Sequence, residues 1–257
     1  MLIGGPFGRA ATEESGFTLV ETLVALVSGL VVLGAAFAIL EVSLHQSSRV
    51  ADVAQATQLG RNAMTRLVDE LHSACLSPGF APVQTGSEGS KLIFIDAFSE
   101  KSEIGTASAE TSGKGAYKHE IVWNPATETL TDFVYPSTGG TSPKFTYGAA
   151  SPAAGVRFGE KITKVGGTTP IFQYFQYTKE ASTSATEPLS TLESKALSVP
   201  LTESSAANAA SIQINFNAAP IVGGFKSSGR TVDYSSQVTF AFSAPDIKAT
   251  ISQAPCE

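Results

Sequence analysis

Glu21 is the one charged side chain between Gly16 and Leu40. A carboxylate in so apolar a run costs several kcal/mol unless a cation pairs with it, so its default reading is functional. The junction Gly16–Phe17, a small residue followed by an aromatic, lies immediately upstream. Cutting the chain after Gly16 would create an amine on Phe17, one helical turn from Glu21. A second copy shifted along a shared axis could offer its own amine to the same carboxylate. The chemistry these residues can do is charge pairing in a low dielectric, with peptide-bond cleavage as the step that supplies the cation.

The other chemistry-bearing residues form no such pattern. His45, His72 and His119 have no metal-ligand spacing; His72 and Cys75 share one helical face, but two ligands fall short of the usual three or four, so no metal and no cofactor is expected. The Gly-Gly pairs at 139–140, 166–167 and 223–224 read as turn punctuation, since none opens a phosphate-binding strand-to-helix loop. Neither Gly-x-Ser-x-Gly nor His-Glu-x-x-His occurs, so hydrolase chemistry has no motif to stand on. Glu100, Glu103 and Glu110 share one polar segment, read as a solvated loop over a calcium site because their spacing matches no known cage. The aromatic strand Phe172–Tyr177 reads as core, with Phe172 and Tyr174 on one face and Phe175 and Tyr177 on the other. The two cysteines, Cys75 and Cys256, are a candidate disulfide in an oxidising compartment, with two separate thiols as the alternative.

The element that must position Glu21 is a helix. From Phe17 to Leu40 the only polar side chains besides Glu21 are Thr18, Thr22 and Ser28, and a helix of that length crosses the ~30 Å apolar core of a bilayer. No Pro interrupts Glu41 to Cys75, where apolar or small residues recur at Val50, Val53, Thr57, Gly60, Met64, Leu67, Leu71 and Ala74. That alternating three-and-four spacing predicts an amphipathic continuation, with Arg49, Asp52, Arg61, Arg66, Asp69 and Glu70 on the polar face. Pro78-Gly79 closes the helix near Leu76, for a total of ~90 Å at ~1.5 Å per residue.

Strand-like runs follow: Lys91–Phe98, His119–Trp123 and Thr129–Tyr135 as a hairpin, Phe145–Tyr147, Phe158–Val165 and Ile171–Tyr177 as a second hairpin, Ser211–Asn217 and Gln237–Phe242. Glu180–Ala210 reads as polar and low in complexity, with one helical turn at Glu203–Ala210. The expected fold is α+β: a long N-terminal helix, transmembrane in its first half and amphipathic in its second, packed on antiparallel sheets.

The stretch Gly16-Phe-Thr-Leu-Val-Glu-Thr-Leu-Val-Ala-Leu26 resembles the type IV pilin-like family, the pilins of type IV pili and the pseudopilins of type II secretion systems. The resemblance covers roughly the first quarter of the chain. It implies removal of a leader between Gly16 and Phe17 by a prepilin peptidase, N-methylation of Phe17, and a role for Glu21 in docking subunits into a filament. The acidic pair Glu13 and Glu14 departs from the family's basic leaders. Cleavage after Ala38, at the small-x-small site Ala36-Phe37-Ala38 of an ordinary secretory signal, is the competing reading. The helix ending in Arg-Leu-Val-Asp-Glu-Leu, the following hairpin, the aromatic strand Phe172-Gln173-Tyr174-Phe175 and the late alternating strand are also similar to minor subunits, the J-component pseudopilins and W-type minor pilins.

The implied organisation of the 257 residues is a leader (1–16), a membrane and assembly half-helix (17–40), an amphipathic half (41–78) and a β-rich extracytoplasmic domain (79–257). The formal charge of −6 and the lack of any Lys/Arg cluster disfavour a nucleic-acid partner. The expectation is a structural and assembly subunit, not an enzyme. Its partners would be the prepilin peptidase, other pilin or pseudopilin subunits, the inner-membrane assembly platform and lipid. The alternatives are a membrane-anchored surface binding protein exported by the same route, and a secreted hydrolase.

Overall fold

The computed structural model describes residues 16–74, 82–96, 116–141, 144–179, 192–221 and 231–240. The chain divides into two units, Met1–Val50 and Ala51–Glu257.

In the first unit the described residues form the opening part of one helix, α1 (Leu19–His72). The backbone N–H of Glu21 donates to the Thr18 hydroxyl (3.3 Å), so Thr18 caps the helix and satisfies one of its orphan donors. The remaining polar side chains are also satisfied locally: Thr22 donates to the Thr18 carbonyl (3.0 Å) and Ser28 to the Val24 carbonyl (2.9 Å). Hydroxyls turned back onto the backbone ask nothing of the surroundings, which is what an apolar solvent demands. Every residue from Gly16 to Val50 is exposed, and α1 is long and apolar enough to cross a membrane.

The second unit is α+β. The rest of α1 joins two five-stranded antiparallel sheets. The first has the order β1-β2-β3-β4, from Lys91–Asp96, Tyr117–Asn124, Thr129–Thr141 and Lys144–Tyr147, with β5 (Val156–Gly159) pairing β3. The second has the order β10-β9-β7-β8, from Val232–Thr239, Ser211–Ala218, Phe172–Lys179 and Leu192–Ala196, with β6 (Ile162–Thr163) pairing β9. A short helix, α2 (Glu203–Ala207), begins in a capping box. The Ser205 N–H donates to the Thr202 hydroxyl, and the Thr202 N–H donates to the Ser205 hydroxyl.

One apolar core joins the helix to both sheets. Ala63, Leu67 and Leu71 of α1 meet Phe94, Ile121 and Leu130 of the first sheet and Phe172, Tyr174, Ile212 and Phe216 of the second. The β2–β3 hairpin forms where expected, with Trp123 opposite Leu130; the Asn124 side chain accepts from the Ala126 N–H (2.9 Å), an Asx turn that starts the loop.

Several expectations need correction. The apolar face of α1 is shifted in its early turns: Asp52 and Ala56 are buried, whereas Val50 and Val53 are exposed. Apolar spacing selected a stripe of the right period; the buried face enters it through Asp52 and Ala56 and coincides with it at Gly60, Leu67 and Leu71. Phe158–Val165 and Ile171–Tyr177 do not form a hairpin. The chain instead leaves the first sheet at Gly159 and joins the second at Ile162, and Gly166 and Gly167, both at positive φ (59° and 76°), turn it before β7. The segment read as low-complexity supplies β8, an edge strand on β7. β10 begins earlier than expected, at Val232, so Tyr234 joins the ladder. Regular helix ends at His72, short of the expected Leu76; residues 75–81 lie outside the described residues.

Candidate functional site

Gly16 and Phe17 precede the Thr18 cap in non-helical, exposed backbone, and Phe17 is 84 % exposed. A peptide bond so placed is open to a peptidase. A Cβ added at Gly16 would meet nothing within 4 Å. Glu21 stands in the first turn of α1, where an acid interacts favourably with the partial positive charge of the helix N-terminus. The three residues singled out in the sequence thus share the start of one helix. Cys75, Cys256 and the acidic segment Glu100–Glu110 lie outside the described residues.

Of the histidines, His45 and His72 are exposed on α1 and His119 is buried in β2. The aromatic strand behaves as core on its Phe172 and Tyr174 face: both are buried, and Tyr174 donates to the carbonyls of Lys91 (3.0 Å) and Glu88 (3.2 Å). On the surface of the second unit, Arg61, Arg66 and Arg157 line an open cleft of about 600 Å³. Arg157 is held there by Glu160, and Arg66 reaches the Arg157 carbonyl at 3.5 Å.

The densest convergence of titratable side chains among the described residues surrounds His119. Its Nδ1 lies 2.9 Å from Oδ2 of Asp132 in β3, and its Nε2 lies 3.9 Å from Oδ2 of Asp96 in β1. Phe94 stacks on the imidazole at 4.9 Å between ring centres. Glu70, half-buried on α1, brings a third carboxylate; ligand atoms of Glu70, Asp96 and His119 all lie within 4.8 Å of one another. Burial alone would lower the pKa of His119. The Asp132 hydrogen bond and the charges of Asp132, Glu70 and Asp96 outweigh burial and hold the pKa above the ordinary histidine value. The Oδ1 of Asp132 is buried without a hydrogen-bond partner.

Sequence spacing missed this cluster because its members come from four separate elements. A signal was nevertheless present. Leu92-x-Phe94-x-Asp96, His119-x-Ile121 and Leu130-x-Asp132 each place a polar residue on the inward face of an alternating strand, where an apolar one is the rule. No protein-family model, curated protein or solved structure matches the chain.

Proposed function

We propose that the chain is a minor type IV pilin-like subunit, a structural and assembly component of a type IV pilus or a type II secretion pseudopilus. The observation that carries this reading is Gly16-Phe17-Thr18-Leu19-Val20-Glu21 at the exposed start of an apolar helix. In this reading a prepilin peptidase cuts between Gly16 and Phe17 and methylates the new amine, which stays positively charged. The apolar part of α1 anchors the precursor in the cytoplasmic membrane, with the β-rich unit on the extracytoplasmic side, and later packs against the same segment of neighbouring subunits.

Glu21 sets the register. Its carboxylate pairs either with the Phe17 amine of its own chain or with that of a neighbour displaced along the filament. Other axial offsets leave two charges unmatched in an apolar core, at a cost of several kcal/mol. Register selection thus comes from electrostatics, whereas adhesion comes from helix packing.

Intact-mass measurement of membrane-extracted protein tests the first step. Loss of residues 1–16 and gain of one methyl are expected; a mature N-terminus at Ile39 would overturn the reading in favour of a secretory signal. Co-purification with sheared surface fibres tests assembly, and its failure would favour a membrane-anchored binding protein that borrows the export route.

A further inference from the structure

We propose that Glu70, Asp96 and His119 supply three ligands to a divalent first-row transition metal, zinc being the ion that suits the site best with a water as fourth ligand, and that Asp132 orients His119 for it. No metal is expected from ligand spacing along any one element of the sequence. Here α1, β1 and β2 each supply one ligand, and β3 supplies the orienting carboxylate.

The geometry has the parts such a site needs. A metal-bound imidazole usually donates its other N–H to a carboxylate, which fixes tautomer and ring direction. Asp132 accepts from Nδ1 at 2.9 Å, and Phe94 stacked on the ring holds its plane. That leaves Nε2 as the free donor atom, on the side where Asp96 Oδ2 stands 3.9 Å away. This separation is too long for a hydrogen bond and about 0.5 Å wider than the ~3.4 Å that two ligands span on a tetrahedral ion with bonds of ~2.0–2.2 Å. Glu70, half-buried on α1, supplies the third ligand, its carboxylate lying within 4.8 Å of the ligand atoms of Asp96 and His119.

Charge points the same way. His119, Asp96 and Asp132 are 6 %, 6 % and 2 % exposed, and Oδ1 of Asp132 is buried without a hydrogen-bond partner. Asp96 and Asp132 bring two buried carboxylates to one imidazole, and Glu70 brings a third from the half-buried helix surface. Two carboxylate ligands with a neutral imidazole carry the charge that a divalent cation cancels. One nitrogen and two carboxylates suit zinc and its neighbours; calcium would require six to eight oxygen ligands. A bound ion would tie α1 to the first sheet at a point where the apolar core ends in charged side chains.

The test uses the full chain in detergent, stripped with EDTA and titrated with ZnCl2. Binding is read by calorimetry, and stability by thermal unfolding. One equivalent of Zn²⁺ is expected, with a rise of about 5–10 °C in the unfolding midpoint at a hundredfold excess over Kd. Glu70→Gln, Asp96→Asn and His119→Gln should each weaken binding at least about tenfold, and Asp132→Asn should weaken it about 10- to 100-fold with stoichiometry unchanged. Glu70→Gln is decisive if the buried variants fold poorly, because it alters a half-exposed helix position. Absence of zinc binding in the wild-type protein, or binding undiminished by Glu70→Gln, overturns the site; the second result would place zinc elsewhere on the chain. Neither outcome bears on leader cleavage or filament entry.

Discussion

Glu21 and Gly60 illustrate how one side chain, or its absence, sets a contact. Replacing Glu21 by Ala or Val removes a charge from the apolar stretch, so membrane insertion and cleavage after Gly16 should persist while entry into filaments falls. Pull-down with sheared fibres, alongside intact mass, reads both. Equal incorporation of wild type and variants would leave Glu21 without an assembly role. Gly60 has a different reason to be small. The Tyr234 ring lies over it, stacked on Phe216 at 5.5 Å, and its hydroxyl donates to the Thr57 carbonyl at 2.6 Å. A Cβ at Gly60 would come within 2.7 Å of Tyr234 Cδ2 and Cζ. Gly60→Ala should therefore destabilise by about 1–3 kcal/mol through overpacking, despite a helix propensity that favours Ala by about 1 kcal/mol. In a Tyr234→Ala background the sign should reverse, with Gly60→Ala stabilising by up to about 1 kcal/mol. Urea unfolding of the four proteins measures the coupling, and an effect of the same sign in both backgrounds would refute the contact.

At the scale of elements, α1 carries two different surfaces on one helix. Its opening turns are apolar on all sides and exposed, as suits lipid or other helices. Past Val50 one stripe is buried, and Leu67 on it has no exposure. Leu67→Ala should cost about 2–5 kcal/mol by urea unfolding, because the cavity would open between rigid sheets and a helix that cannot collapse around it. A change to Ala at Leu23 should cost the β-rich unit nothing measurable in the same assay, since Leu23 belongs to the other unit and is exposed. A comparable loss in both variants would mean that the two parts of α1 unfold together.

At the scale of the whole molecule, the division at Val50 predicts a separable domain. A chain beginning at Ala51 should stay in solution without detergent and unfold with the same denaturant midpoint as the β-rich unit of the full chain, by circular dichroism. Aggregation of that chain, or a lower midpoint, would show that the domain depends on the opening turns of α1.

What the sequence by itself determined is what depends on near neighbours in the chain. Apolar length and a single charge defined the membrane-competent helix, because helix formation and partition into lipid are summed over consecutive residues. Period-two alternation and the turn at Asn124–Glu128 defined the β2–β3 hairpin for the same reason, and the outcome agrees closely with expectation: Tyr117–Asn124 pairs with Thr129–Pro136. Only the tertiary structure decided the rest. The crossing from β5 on β3 to β6 on β9 takes the chain from one sheet to the other, a choice of partner strand that no local window contains. The burial of Asp52 and Ala56 in place of Val53 depends on what packs against that face, which period alone does not specify. The cluster at His119 draws Glu70, Asp96 and Asp132 from three other elements; the inward polar positions were legible strand by strand, but only the tertiary structure brought them together in a low dielectric, where charge is consequential.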